Sequence, residues 1–349
     1  MTTWLLYGAN GYTGELIARE AARRGMRPIL AGRRAGPIET LAKSLGLPAR
    51  VILLDDPATV AASLDDVTLV LNCAGPFVET AEPLARAALA KRAHYLDITG
   101  EIDVFEWAQT LDAQALVAEV VVCPGVGFDV VPTDCLAAML REALPNATEL
   151  ALGFDGAQSV SPGTAKTTIE NLAGGGKVRR SGVIERVPFG YGVRRIDFGR
   201  GPKLAMAIPW GDVSTAFHTT GIGNVTVYTS VTRRQLSLVE IANAFRFLFR
   251  FRGVREFARR RVERTVTGPD ETARAHGTTW VWGEARTADG ATKTLRLTTP
   301  NPYALTVTAA LGAVERVLAR APRPGSTTPA RLLGSRYVLE LPGTVLAAD

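Results

Sequence analysis

The chain is poor in the residues that build disulfide frameworks and metal sites. It has three cysteines and three histidines among 349 residues. Cys73, Cys123 and Cys135 lie far apart and form no CxxC pair, so neither a disulfide framework nor a structural zinc site is expected. We therefore predict no metal ion. A sparse, odd number of cysteines is typical of proteins from the reducing cytoplasm, which is the predicted location.

Long apolar runs are also absent. No stretch approaches the roughly 18 to 20 apolar residues that a membrane span requires. The opening MTTWLLYGANGYTG lacks a basic start, so no signal peptide is expected. With 46% apolar and 21% charged residues, the composition excludes disordered, collagen-like and coiled-coil proteins. A length of 349 residues predicts two domains or one large one.

The net charge of +6 comes from a single segment. Residues 233–264 hold ten arginines and three glutamates, a local charge of +7 that leaves −1 for the rest of the chain. Within 238–264, apolar residues recur every three or four positions, which indicates an amphipathic helix. Such a helix packs on a core with its basic face in solvent, or makes peripheral contact with an anionic membrane or an acyl chain. Because no helix-turn-helix or aromatic platform accompanies the charge, no nucleic-acid partner is expected.

Up to about residue 125, short apolar runs alternate with helical patterns. This rhythm predicts an α/β fold that opens with a Rossmann domain, a doubly wound parallel sheet. After about residue 147, strands joined by turns and a hairpin signal at Asp289-Gly290 predict a second, α+β domain with a mixed or antiparallel sheet. We expect the first domain over residues 1–130, the second over 131–320, and a tail over 321–349 that packs back on the first.

The strongest motif is the glycine-rich turn GANGYTG at residues 8–14. It follows a strand and begins a helix, the context in which a loop cradles the diphosphate of a dinucleotide. Gly8 allows the tight turn, Gly11 lets the backbone approach the phosphates, and Gly14 lets the helix pack against the strand. The helix N-terminus adds N–H groups and partial positive charge. The predicted cofactor contacts in this turn are Gly8, Asn10, Gly11, Tyr12, Thr13 and Gly14.

The second strand ends in Arg33 and Arg34. NAD-binding proteins carry an acidic residue about 20 residues beyond the glycine turn, where it bonds the ribose hydroxyls. Guanidinium groups instead suit a 2′-phosphate and stack on adenine, so we predict that the cofactor is NADP(H). Asp55, at the end of the third strand, is predicted at the adenine edge. Asp56 fits equally well as the N-cap of the next helix.

Three further strand ends carry small or polar residues. Cys73, Ala74 and Gly75 follow the fourth strand, Thr99 lies in an ITGE loop after the fifth, and Asp129 lies in the PGVGFDVVPTD loop after the sixth. Ligands of open α/β sheets bind at this edge, so these residues are predicted to line the cofactor site. No histidine or basic residue adjoins Cys73 to activate its thiol, which favours a packed small residue over a nucleophile.

Taken in order, the motifs GANGYTG, AGRR, LNCAGPF, HYLDITGE and PGVGFDVVPTD resemble those of the saccharopine dehydrogenase-like oxidoreductases, and within them the trans-acting enoyl reductases. The resemblance implies an N-terminal Rossmann domain, an α/β second domain, NADP(H) and reduction of a double bond. It implies that the ITGE loop and Asp129 face the nicotinamide and the substrate. It carries over as cofactor contacts Gly8, Gly11, Gly14, Arg33, Cys73, Ala74 and Gly75.

The predicted function is NADPH-dependent reduction of a polarised C=C bond in an apolar, acyl- or polyketide-like substrate. The alternatives are imine reduction or amino-acid dehydrogenation of the saccharopine type, and an NADP-binding redox sensor without catalysis. A short-chain dehydrogenase site needs Tyr-x-x-x-Lys, and none of the seven tyrosines is followed by such a lysine. Pairing of second-domain sheets would build a homodimer, by analogy of fold.

Reduction also needs a proton donor. The candidate donors are Lys166, Tyr191 and His218, and the structural alternatives are a solvated helix face for Lys166, a turn for Tyr191 and a structural hydrogen bond for His218. Asp129, the fourth predicted catalytic residue, is expected to orient the substrate or to cap the helix that begins near Pro132.

Overall fold

The structure, a computed structural model, describes residues 3–156, 175–244, 253, 277–320 and 322–347. The chain divides into two units, the first formed by Met1–Val131 and Tyr303–Gly334, the second by Pro132–Pro302 and Ser335–Asp349. In chain order, the strands of the first unit are β1 (Trp4–Tyr7), β2 (Ile29–Gly32), β3 (Ala49–Val51), β4 (Leu69–Asn72), β5 (His94–Asp97), β6 (Val121–Cys123) and β15 (Gly325–Ser326). Its helices are α1 (Tyr12–Arg23), α2 (Ala35–Leu45), α3 (Pro57–Ala62), α4 (Phe77–Ala90), α5 (Ile102–Gln109), α6 (Asp112–Ala118), α10 (Pro302–Ala319) and α11 (Pro329–Leu333).

The first sheet has the strand order β15-β6-β5-β4-β1-β2-β3, and every neighbouring pair is parallel. Leu5 and Leu6 point to opposite faces of β1 and both are fully buried, so helices cover both faces. The order reverses between β1 and β4, which places a ligand crevice at the carboxyl ends of these two strands. The predicted Rossmann architecture is confirmed.

The second unit is built on a mixed sheet. Its strands are β7 (Ala147–Asp155), β8 (Gly176–Arg180), β9 (Val183–Val187), β10 (Arg194–Asp197), β11 (Pro202–Ala207), β12 (Asn224–Ser230), β13 (Thr278–Thr287), β14 (Thr292–Pro300) and β16 (Val345–Leu346). Its helices are α7 (Val131–Ala143), α8 (Asp212–Thr220), α9 (Arg233–Ala244) and α12 (Tyr337–Glu340). The main path runs β10-β11-β12-β7-β13-β14-β16, in which β12 and β7 are parallel and the other pairs antiparallel.

Two glycines of the second sheet lie where a side chain would be disfavoured, one beneath a helix and one in a turn. A Cβ on Gly283 of β13 would lie 2.7 Å from Leu140 Cδ1 and 3.0 Å from Leu136 Cδ2, so α7 packs directly on the strand. The β13–β14 hairpin turns at Gly290, whose φ of +92° suits glycine. The predicted mixed-sheet second domain and its hairpin are confirmed.

The predicted domain limits differ from the observed units in two places. Residues 303–320 were expected in the second domain, but α10 from Tyr303 onward lies with the first. The tail was expected to pack wholly on the first domain. Only its part with β15, which pairs with β6, does so, whereas β16 pairs with β14 in the second sheet. Chain order alone does not reveal that the chain returns to the first unit directly after the hairpin.

The basic segment at 238–264 is described only in part. Helix α9 accounts for its beginning, while residues 245–252 and 254–264 lie outside the described residues. Across the described ranges, no helix combines the length and apolarity needed to traverse a bilayer.

Candidate coenzyme site and its proton donor

The glycine turn after β1 is built from backbone contacts that exclude side chains. Gly8 has a φ of +77°, and its N–H donates to the carbonyl of Ala31 on β2 at 2.8 Å. The N–H of Gly11 donates back to Gly8 O at 2.9 Å and closes the turn. A Cβ on Gly14 would overlap Gly8 O and lie 3.0 Å from Ala9 Cα. Glycine at positions 8 and 14 is therefore what lets α1 begin directly against the end of β1.

The turn also presses against the loop that follows β4. A Cβ on Gly8 would lie 2.8 Å from both the N and the Cβ of Ala74. Ala74 is held in place because its N–H donates to Asn72 Oδ1 at 2.9 Å and its carbonyl accepts from Thr80 Oγ1 at 2.6 Å. The two loops on either side of the strand-order reversal thus form one close-packed unit.

The N-terminus of α1 meets the requirements of a diphosphate site. Gly11, its N-cap, offers no side chain to the first-turn amides and is itself exposed. Tyr12 and Thr13, which follow it, are half-buried. The first-turn N–H groups have no carbonyl one turn earlier in the helix, and the helix dipole adds positive charge there. A dinucleotide diphosphate fits this cradle.

The carboxyl end of β2 supplies the expected cations. Arg33 and Arg34 are both exposed, and neither forms a salt bridge with any residue that the structure describes. Asn10 lies beside them, since a Cβ on Gly32 would be 3.0 Å from Asn10 Oδ1. Unpaired guanidinium groups at this position suit a 2′-phosphate. Asp55 is exposed, but it lies in the bend before α3 and not at the end of β3 as predicted, because β3 ends at Val51.

The capping alternative holds for Asp56. Its carboxylate accepts from the N–H groups of Ala58 at 3.3 Å and Thr59 at 3.1 Å, at the start of α3. The pKa of Asp56 is lowered mainly by a hydrogen bond from the side chain of Thr59, and further by these two backbone hydrogen bonds.

A buried polar network lies beneath the loops. Asp97, fully buried at the end of β5, accepts from Thr99 N at 3.0 Å, Gly125 N at 2.9 Å and Tyr95 Oη at 2.9 Å. Asn72 Nδ2 donates to the same Tyr95 hydroxyl at 3.1 Å. Burial raises the pKa of Asp97 to about 7, although its hydrogen bonds oppose the rise. Asp97 therefore joins the loops after β4, β5 and β6.

Cys73 lies close to this network and is half-buried. Burial, and after it the charge of Asp97, raise the pKa of the Cys73 thiol. A thiol that stays protonated is a poor nucleophile, which agrees with the prediction of a small packed residue.

Glu101, which the sequence indicates only as part of the ITGE motif, holds two loops of this edge together. Its two carboxylate oxygens accept from the N–H groups of Phe77 and Val78, each at 2.9 Å. Pro76, the N-cap of α4, has no side chain that can do this. The amide of Glu101 in turn donates to Thr99 Oγ1 at 3.0 Å. The ITGE loop thereby caps α4 and fixes the loop after β4 from the side.

The hydrogen bonding of Asp129 differs from that of Asp97 and Glu101, the two other carboxyls described at this edge. Asp129 is half-buried, and no hydrogen bond or ion pair from the described part of the chain reaches its carboxyl group. Burial, followed by the nearby charge of Glu101, raises the pKa of Asp129 to about 7. A Cβ on Gly100 would lie 2.7 Å from Asp129 Oδ2, so glycine there leaves room for the carboxyl. Such a group gives up or takes up a proton near neutral pH.

Of the three predicted donors, Lys166 lies outside the described residues, and Tyr191 and His218 belong to the second unit. Tyr191 lies in the turn between β9 and β10, where Arg180 donates to its hydroxyl and stacks over its ring at 5.4 Å. His218 is half-buried on α8, with its ring 5.3 Å from that of Phe217.

Helix α10 contributes contacts that the sequence analysis missed. The ring of Tyr303 meets that of Tyr12 edge to face, with centroids 5.1 Å apart. One turn later, Thr306 Oγ1 accepts from the N–H of Phe128 at 3.0 Å. The apolar period of residues 303–320 indicates a helix, but it does not indicate that this helix lies against the glycine turn.

The part of the chain that carries these loops is similar to known proteins. Residues 4–123 match the family profile described as the saccharopine dehydrogenase NADP binding domain. A human protein named saccharopine dehydrogenase-like oxidoreductase is 30% identical over 150 residues, which are 37% of this chain and 35% of that protein. A Mycobacterium tuberculosis protein whose name describes a trans-acting enoyl reductase is 35% identical over 153 residues, 40% of this chain and 35% of that protein. The similarity thus spans about a third of each relative's length.

A solved structure resembles the whole chain. Apo saccharopine dehydrogenase (L-Glu forming) from Saccharomyces cerevisiae superposes with a TM-score of 0.65 at 13% identity and covers 100% of both chains. At this identity the likeness concerns the fold alone. It confirms the predicted fold, and the family profile over residues 4–123 supports NADP(H) as the coenzyme of the first domain.

Two glycine substitutions separate folding from binding. Gly14→Ala introduces a Cβ that overlaps Gly8 O, so we expect it to destabilise the protein by about 1–3 kcal/mol. At Gly11 a Cβ meets only Gly8 O, at 3.2 Å, so Gly11→Ala leaves the melting temperature within a few degrees. Because Gly11 faces the diphosphate cradle, this variant loses NADPH affinity. Thermal unfolding without coenzyme and fluorescence titration with NADPH measure the two effects, and wild-type affinity in Gly11→Ala would contradict the cradle.

Proposed function

Since residues 4–123 belong to the saccharopine dehydrogenase NADP-binding domain family, we propose that this protein is an NADPH-dependent reductase that acts on a polarised C=C bond of an apolar, acyl-type substrate. The observation that carries the proposal is Asp129, a carboxyl with a pKa of about 7 at the carboxyl edge of the first sheet, to which no described residue gives a hydrogen bond or an ion pair. The names of the human and mycobacterial relatives support an oxidoreductase, and that of the mycobacterial relative supports an enoyl substrate.

The chain's own groups would hold the coenzyme at three points. The amides of the turn at Gly11 would bind the diphosphate, the guanidinium groups of Arg33 and Arg34 the 2′-phosphate, and Asp55 the adenine edge. The loop at Ala74 and Gly75, fixed by the buried polar network, would carry backbone groups toward the nicotinamide end. When bound, NADPH supplies a hydride.

Asp129 would supply the proton. Saturation of a double bond needs one hydride and one proton, and a carboxyl with a pKa of about 7 is largely protonated in mildly acidic solution. Burial keeps the proton on the carboxyl, and Glu101 nearby adds to this effect. Gly100 leaves the carboxyl space without bonding it. Lys166, Tyr191 and His218 stay candidates for polarising the substrate carbonyl.

We also propose that the protein is cytoplasmic, because its three cysteines are sparse, odd in number and form no CxxC pair. Peripheral membrane contact through 238–264 and a homodimer remain part of this proposal. Membrane contact fits an apolar substrate, a homodimer fits the pairing of second-domain sheets, and neither is needed for the chemistry proposed at Asp129.

The substrate class is tested by NADPH oxidation followed at 340 nm. We expect turnover with α,β-unsaturated acyl thioesters, at rates that rise with acyl length. Turnover only with an imine formed from a 2-oxo acid and an amine would replace the enoyl assignment by imine reduction. Tight NADPH binding without oxidation by either class would replace it by a redox sensor.

Arg33 determines the preference between the two coenzymes in this proposal. Arg33→Glu places a negative charge where the 2′-phosphate binds, so NADPH affinity falls by at least tenfold and NADH affinity is kept or improved. Titration of both coenzymes into wild type and variant measures the ratio. Arg86→Glu, the same charge reversal on the exposed side of α4, is the control and leaves the ratio unchanged. Equal affinity of the wild type for NADPH and NADH would refute the role of the arginines.

Asp129→Asn removes the proton without changing the shape of the side chain. We expect kcat to fall by about 100-fold or more, while the Kd for NADPH stays within twofold. In the wild type, the rate falls as pH rises through the pKa of about 7, because the deprotonated carboxylate has no proton to give. The residual rate of Asp129→Asn does not fall in this pH range. A variant as fast as wild type would exclude Asp129 as the donor.

A further inference from the structure

The first turn of α10 touches two separate parts of the coenzyme site. Tyr303 and Thr306 are three residues apart, so their side chains lie on the same face of the helix, one turn from each other. One reaches the glycine turn after β1 and the other the loop after β6. These two loops follow strands separated by β4 and β5 in the sheet. The strand order alone does not bring the loops together, and this helix turn does.

Tyr303 acts on the residue next to the phosphate cradle. Tyr12 directly follows Gly11 and opens α1. The two tyrosine rings are 82° apart with centroids at 5.1 Å, the edge-to-face geometry that aromatic pairs favour. The contact fixes the ring of Tyr12, and with it the first turn of α1, whose amides form the cradle.

Thr306 acts on the residues directly before the proposed proton donor. Its Oγ1 accepts from Phe128 N at 3.0 Å, and its Cγ2 lies 3.0 Å from where a Cβ on Gly127 would be. The chain continues from Phe128 into Asp129. The hydroxyl and methyl groups of Thr306 therefore hold the backbone that carries the Asp129 carboxyl.

We propose that the first turn of α10 is a clamp that positions both loops, with Tyr303 as a determinant of NADPH affinity and Thr306 as a positioning residue for Asp129. The inference rests on the proposed function, because it assumes that NADPH binds at the glycine turn and that Asp129 gives the proton. It adds that a helix outside the Rossmann segment of the sequence sets the geometry of both.

The first test is NADPH binding, measured by fluorescence titration. Tyr303→Ala removes the ring and is expected to weaken NADPH binding about two- to tenfold. Tyr303→Phe keeps the ring edge, stays within twofold of the wild type, and shows that the site still folds. Wild-type affinity in Tyr303→Ala would overturn the clamp. A wild-type protein that does not bind NADPH would instead overturn the proposed function, so the two failures are distinguishable.

The second test compares two threonines of the same helix. Thr306→Val removes the acceptor of Phe128 N, whereas Thr308→Val removes a hydroxyl that bonds only the helix's own carbonyls of Ala304 and Leu305. We expect Thr306→Val, but not Thr308→Val, to speed hydrogen–deuterium exchange of residues 124–130 in protein without coenzyme. Thr306→Val also lowers kcat several-fold and moves the alkaline limb of the pH profile of kcat, whereas its Kd for NADPH stays within twofold of that of the wild type. Thr306→Ser keeps the acceptor and restores the profile. Identical behaviour of the Thr306→Val and Thr308→Val variants would overturn the role of Thr306.

Discussion

The coenzyme site depends on the absence of side chains where β1, α1 and the loop after β4 meet. Gly8 leaves room for Ala74, and Gly14 leaves room for the carbonyl of Gly8. A methyl group at either glycine would push α1 away from the strands, and with it the amides that form the phosphate cradle. The conformational freedom that glycine loses on folding is the energetic cost of this close approach. The exposed Gly11 then leaves the cradle open from outside.

Asp97 and Asp129 both have a pKa of about 7, raised in each case mainly by burial, but their hydrogen bonding differs. Asp97 accepts hydrogen bonds from two backbone amides and from Tyr95, and so joins three loops. Satisfying a buried polar group in this way makes it rigid. Asp129 has no such partners in the described part of the chain. We propose that this difference gives Asp97 a structural role and Asp129 a chemical one.

The sequence predicts those parts of the site whose signal is local. The glycine turn, Arg33, the strand ends and Asp129 all follow from residue types placed at the ends of apolar runs, because parallel strands bring their carboxyl ends to one edge. What could not be predicted depends on contacts between distant segments. Glu101 bonds amides more than twenty residues earlier in the chain, and Tyr303 meets Tyr12 from the other end of the sequence. The apolar period of residues 303–320 indicates a helix, but a period does not show which sheet the helix joins.

The environment of the Asp129 carboxyl also bears on whether the protein is an enzyme or a sensor. Withdrawing a carboxyl from water without a hydrogen bond from any described residue costs free energy, and an apolar side chain at that position would avoid the cost. The coenzyme contacts that we propose, with the cradle amides, Arg33, Arg34 and Asp55, do not involve Asp129. The chain nonetheless leaves space for the carboxyl at Gly100 and holds the preceding backbone through Thr306. A protein that only sensed the coenzyme would have no use for a proton held there near neutral pH. A reductase has one, because each hydride that it transfers to a double bond has to be matched by a proton.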